Sequence, residues 1–373
     1  MNTAFSKSSL CLIISCSLLL ICNSHQPDNT VKDIVKIGVI APLSGPASGY
    51  GEDAVTVFEQ AIEAYHAKSP ETRVELIIEN GACQKDATSA AQKLVNIDKV
   101  DILLQCSGET LAAGKITNAA KIVTLSPLSS APDISFMGDY VFRFWNDSFS
   151  SIVLGDYASK NLPRLALIVE NTDYAIALQK SFSEAYREIS FEEVFYSEEK
   201  DYSILAKRIA QQNIDGIVFI SQSESTAGGL VLALAAEGLT EKYKNNIYGA
   251  WILSSEAFEN IAEHLEGMVE VQIASIEESS AKGKAFLRSY KEQHEIKSAA
   301  PFVLINKEID LVLDAITSGH RDSESIKSYF SSFDINNPRD GYFGEYYFDA
   351  NGDAIGLEYM MQQYRNGEWL PVS

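Results

Sequence analysis

An α/β fold of two doubly wound parallel-sheet lobes is predicted by three observations. Short apolar runs alternate with amphipathic stretches from Ile34 onward. The alternation restarts near residue 148. The chain of 373 residues is long enough for two lobes with separate cores. Alternation of strand and helix at this interval implies parallel strands joined by right-handed crossovers.

In the first half, Ile34–Ala41 reads as a buried strand, followed by a turn rich in glycine, proline and serine, Pro42 to Gly51. A helix from about Glu52 to Ala67 places Val55, Phe58, Ala61 and Ile62 at helical spacing. Then come a strand at 74–78, a helix at 88–95, a strand at 102–104, a helix at 109–120 and a strand at 122–125. The second set reads as helix 148–160, strand 165–169, helix 175–187, strand 194–196, helix 202–212, strand 216–220, helix 226–236 and strand 247–251. In the tail, strand 267–274 precedes helices at 282–294 and 302–318. Alternating strands at 342–348 and 356–363 flank Asp349-Ala350-Asn351-Gly352-Asp353. That segment is a hairpin turn, too short for an EF-hand calcium loop.

Composition narrows the function. Hydrophobic residues make up 46% of the chain, which excludes a disordered protein. The net charge of −21 argues against nucleic acid and anionic membrane surfaces as partners. Residues 1–24 read as a secretory signal: Lys7 is the one charge ahead of an apolar stretch from Leu10 to Ile21, too short to span a bilayer comfortably. Two outcomes stay open, cleavage after Ser24 or a lipid anchor on Cys22 or Cys16.

Removal of the signal leaves Cys83 and Cys106. In an exported protein such a pair most economically forms one disulfide; two buried free thiols are the alternative. No His stands near either cysteine, so metal binding has little support. The chain has no P-loop, no G-x-S-x-G elbow, no H-E-x-x-H, and a glycine-rich turn at Gly45–Gly51 that does not fit G-x-G-x-x-G. Neither an enzyme nor a cofactor or metal is expected.

Ser107 and Ser130 both follow predicted strand ends, where ligands collect in open α/β sheets. Ser107 also precedes the helix that starts near Glu109, whose free amides and dipole suit a carboxylate.

Several segments resemble the branched-chain amino-acid-binding family of type I periplasmic binding proteins, the solute receptors of ABC importers. They are Val35–Ala41 with Pro42-Leu43-Ser44-Gly45-Pro46, Tyr50-Gly51, Ala82-Cys83 with Cys106-Ser107, Ser126-Pro127-Leu128-Ser129-Ser130-Ala131-Pro132, and the Gly341–Gly356 hairpin. The resemblance implies two lobes joined by three crossings, near Phe144–Asp147, Trp251–Ser255 and Asn336–Gly341. One lobe would hold residues 34–146 and 252–337, the other 147–251 and 338–373. It implies a ligand trapped by hinge closure, its carboxylate on Ser107 and Ser130 and its ammonium on the Leu128 carbonyl and Ser130 hydroxyl. Tyr50 and Tyr174 would line the cleft, with Phe302 as a further apolar wall.

The family often places an acid where this chain has Trp251, a candidate ligand-binding residue whose ring face attracts a cation more weakly than a carboxylate does, and an aromatic residue near Gln222 or Ser223. Glu256 or Asp173 could stand in for the acid. These departures turn the expectation from leucine, isoleucine or valine toward another amino acid, or an acid or amide without an ammonium. The function implied is a monomeric periplasmic solute-binding protein delivering a small amino-acid-like ligand to an ABC permease. The alternative is a receptor of the same fold that signals to a membrane partner.

Overall fold

Five parallel strands make the first sheet. In chain order its elements are β1 (Ile34–Ala41), α1 (Ser48–His66), β2 (Arg73–Asn80), α2 (Ala87–Lys93), β3 (Ile102–Gln105), α3 (Glu109–Ala119), β4 (Val123–Leu128) and β5 (Val141–Trp145). The spatial order is β2-β1-β3-β4-β5. The computed structural model describes residues 34–372 apart from 46, 69–71, 83–85, 106–107, 130, 197–200, 274–278 and 299; the side chains of 132, 173, 251, 256 and 273 are also outside the described residues. The expected export signal, Cys83, Cys106, Ser107 and Ser130 therefore lie outside the described residues.

The central strands are apolar on both faces because helices cover both. Ile102 and Leu104 enter one core and Leu103 the other, the period of two that a pleated strand imposes.

The second sheet follows α4 (Asp147–Asn161). It is built from β6 (Leu165–Glu170), α5 (Asp173–Ala185), β7 (Phe191–Phe195), α6 (Ser203–Ala210), β8 (Gly216–Ile220), α7 (Glu224–Ala236), α8 (Leu239–Lys242), β9 (Ile247–Gly249) and, after two 3-10 segments, β10 (Val269–Ile273). The chain then returns to the first lobe with α9 (Ala281–Gln293), α10 (Ala300–Asn306), α11 (Asp310–Thr317) and α12 (Ser323–Phe330), whose Leu287, Val303, Val312 and Phe330 join the core of β1 and β4. A three-stranded sheet of β11 (Arg339–Asp340), β12 (Glu345–Phe348) and β13 (Ala354–Ile355) packs there too. Finally β14 (Tyr359–Arg365) and β15 (Glu368–Val372) complete the second sheet, ordered β15-β14-β10-β9-β8-β6-β7. The two-lobe, parallel α/β architecture is as the sequence predicts.

Two crossings differ from the expected ones. The first falls at Trp145–Asp147, as expected. The second was placed at 251–255, but β10 pairs in parallel with β9 and antiparallel with β14. The return therefore follows Ile273, and 252–273 belong to the second lobe. The third was placed at 336–341, but Phe348 packs edge-on against Phe142, and Tyr346 against Phe144, with ring centroids 5.1 and 5.0 Å apart. This aromatic burial keeps 339–355 in the first lobe, and the crossing lies between β13 and β14.

Strand β5 was not expected, because Arg143 interrupts its apolar run. The expected helix 302–318 is broken by a 3-10 turn, Lys307–Ile309. The hairpin turn Asp349–Asp353 is a turn, as read: the Asp349 carboxylate accepts the Asn351 and Asp353 amides at 2.8 and 2.9 Å. Gly352 is required within it. Its φ is +79°, and a Cβ there would lie 2.0 Å from the Val141 carbonyl oxygen.

Candidate ligand-binding cleft

Parallel strands put all their carboxyl ends on one edge. The first crossing leaves β5 at that edge of the first lobe, and the second leaves β10 at the matching edge of the second. Both edges thus flank the crossings. Tyr359, at the start of β14, pins the first crossing: its hydroxyl accepts the Asn146 amide at 3.2 Å and donates to the Asn146 carbonyl at 3.0 Å. Each sheet also reverses its strand order once, between β1 and β3 and between β6 and β8. The crevice outside such a switch point is where open α/β sheets hold ligands.

On the first lobe, buried Arg143 organises the turn after β4. Its Nη1 donates to the Ser129 and Ala131 carbonyls at 3.1 and 2.8 Å, on either side of Ser130, and its Nη2 donates to Ser135 Oγ at 2.6 Å. Its Nε pairs with Asp353. Asp353 in turn accepts from Ser135 Oγ at 2.6 Å. Asn80, at the end of β2, braces the other turns: its Oδ1 accepts the Leu43 and Ala82 amides, each at 3.0 Å. In the first turn of α3, Thr110 Oγ1 donates to Ser126 Oγ at 2.8 Å.

The second lobe uses carboxylates for the same task. Glu170 ends β6 and is buried. Its Oε2 accepts the Ser221 hydroxyl at 2.6 Å and the Gln222 and Ser223 amides at 2.7 and 3.1 Å, which fixes the turn from β8 into α7. Glu270, fully buried on β10, accepts the Ser254 amide at 3.1 Å and the side-chain amides of Gln362 and Gln272 at 2.6 and 3.2 Å. It holds the 3-10 turn Trp251–Ser254. Burial pushes the Glu270 carboxyl up to about 7, while these donors pull it down.

The expected site residues fall into three groups. Ser107 and Ser130 lie outside the described residues, as does the proposed Cys83–Cys106 bridge. Leu128 ends β4 opposite Trp145 and is half-buried. Tyr50 is buried in α1, its ring edge-on to Phe302 with centroids 5.7 Å apart, and Phe302 meets Trp145 at 6.2 Å. The structure brings Tyr50, Phe302 and Trp145 into one aromatic group. Tyr174 belongs to the opposite lobe, where its hydroxyl donates to Asp147 Oδ2 at 2.9 Å. Trp251 opens its 3-10 turn; its side chain, like those of Asp173 and Glu256, is outside the described residues.

Sequence reasoning missed the bracing residues Arg143, Asp353, Asp147, Glu170 and Glu270. The signal was present for three of them. Arg143, Glu170 and Glu270 each interrupt or end an apolar strand, and a charge there must have buried partners.

A Leu/Ile/Val-binding protein of Citrobacter freundii is 27% identical over 342 residues, covering 88% of this chain and 90% of that protein. That of Escherichia coli K12 is 25% identical over 339 residues, covering 87% and 89%. The branched-chain amino acid transporter substrate-binding protein LivJ of Streptococcus pneumoniae, solved with isoleucine, superposes with a TM-score of 0.78 at 25% identity, covering 91% of this chain and 99% of that one. A solute-binding protein of Rhodopseudomonas palustris BisB5, solved with 3,4-dihydroxybenzoic acid, shares the fold at a TM-score of 0.75 and 20% identity, covering 92% and 97%. The family model described as Periplasmic binding protein matches residues 34–368, from the first strand through the three crossings to the start of the last strand, and the chain belongs to that family.

Proposed function

We propose that this protein is an extracytoplasmic solute-binding protein of an ABC importer, which captures a small amino-acid-like ligand between its lobes and delivers it to a membrane permease. One observation supports the amino-acid reading above others: the two cleft edges are braced with opposite polarity. Arg143 occupies carbonyl oxygens of the turn around Ser130, which leaves that turn its amides and hydroxyls. Glu170 and Glu270 occupy amides and a hydroxyl of the opposing turns, which leaves those turns their carbonyl acceptors. A zwitterion fits between them, with its carboxylate on the first lobe at Ser107 and Ser130 and its ammonium toward the Leu128 carbonyl and the second lobe. Tyr50 and Tyr174 supply the walls, and Trp251 opens the turn that faces them. Hinge closure about the three crossings traps the ligand, and ligand binding favours the closed state. No chemical step is involved, and a monomer suffices.

The test is a thermal-shift screen of the exported chain against amino acids, short amides and small carboxylates. A saturating ligand raises the melting temperature by mass action. The double variant Ser107→Ala, Ser130→Ala should keep its fold and lose the ligand-dependent rise. A double variant that still responds like the parent would show that the carboxylate is held elsewhere.

A further inference from the structure

We propose that Asn171 and Gln222 form a carboxamide pair that selects ligands with an uncharged hydrogen-bonding side chain, an amide or hydroxyl, over aliphatic ones. This rests on the amino-acid reading above and adds the side-chain class. Strands β6 and β8 are neighbours at the switch point of the second sheet, and their last paired residues are Val169 and Ile220. Asn171 and Gln222 each stand two positions beyond that pair, in the turns that follow these neighbouring strands. Both are exposed, and no side-chain hydrogen bond ties either to the rest of the described residues.

Their backbones, by contrast, are fixed. The Gln222 amide donates to Glu170 at 2.7 Å, and the Asn171 amide donates to the Phe195 carbonyl at 2.7 Å. A rigid backbone carrying two uncommitted amide side chains offers donors and acceptors at low ordering cost.

The surrounding turns set the charge of the group they receive. Segments 170–174, 221–226 and 249–255 contain Glu170, Asp173 and Glu224 and neither Lys nor Arg. A second carboxylate would meet only like charge. Of these acids, Glu170 already accepts three donors and Glu224 accepts the Ser255 hydroxyl, so a cation would have to compete for them. An aliphatic side chain would strip water from both amides without replacing its hydrogen bonds.

The experiment is calorimetric titration of the exported chain with glutamine, asparagine, threonine, leucine, isoleucine, glutamate and arginine, repeated on Gln222→Leu. At least one of the three neutral polar amino acids should bind about tenfold or more tighter than leucine, glutamate and arginine. Because Gln222 is exposed, the variant should fold normally, and its preference should shift toward leucine by a similar factor. Leucine or a charged amino acid binding best, or a Gln222→Leu variant with unchanged preference, would overturn the selectivity and leave the amino-acid reading intact. Absence of binding by every amino acid tested would overturn both.

Discussion

The two lobes solve one problem in opposite ways. Each must hold irregular turns at the carboxyl ends of its strands, where no ladder supports them. The first lobe uses a buried cation: Arg143 is charge-paired with Asp353 and gives its remaining donors to two turn carbonyls and the Ser135 hydroxyl. The second uses buried carboxylates, Glu170 and Glu270, satisfied by amides and a hydroxyl. The difference is one of bracing charge, a cation under the turns of the first lobe and carboxylates under those of the second.

The largest effect should come from removing the cation. Arg143→Met leaves Asp353 buried without its counter-charge and frees the turn around Ser130. A loss of about 3–5 kcal/mol in urea unfolding is expected. A loss under about 1 kcal/mol would mean that Arg143 does not brace the first lobe.

The next effect is pH-dependent. Burial raises the Glu270 carboxyl from 4.5 to about 7, and does the same to Glu308, which accepts the Tyr342 amide at 2.6 Å in the first lobe. A carboxyl raised on folding favours the native state most fully below its unfolded value. That contribution fades as pH climbs from about 4.5 to 7, by about 3 kcal/mol for each group. Urea midpoints measured from pH 4 to 8 should show this decline, and Glu270→Gln should remove its share. An unchanged pH profile in the variant would show that Glu270 is not the buried carboxyl that braces the second lobe.

The smallest effect concerns the crossing itself. Tyr359→Phe deletes both hydrogen bonds to Asn146 and should cost about 1–2 kcal/mol. If the first crossing is a hinge, small-angle scattering of the ligand-free variant should also differ from the parent. Identical scattering would show that this tie does not restrain the lobes.

Much of the fold is legible in the sequence because strands buried on both faces read as continuous apolar runs. Ile34–Ala41 and Gly216–Ile220 have the predicted bounds, and most helices agree within a few residues. Strand β5 escaped because Arg143 sits inside it, and α12 and β15 carry too short a pattern to stand out. Tyr50 and Tyr174 fall on opposite lobes, in the helices that follow β1 and β6. The bracing of the candidate site was not legible, since Arg143 and Asp353 are 210 residues apart.

The sequence alone determined the alternation of strand and helix, the two-lobe plan and the turns that end the strands, because hydrophobic periodicity and turn chemistry act over a few residues. The tertiary structure decided where the chain crosses the second and third times and which buried charges hold the cleft. Strand partners and counter-charges are chosen across long stretches of chain, by whichever packing satisfies every buried polar group at once.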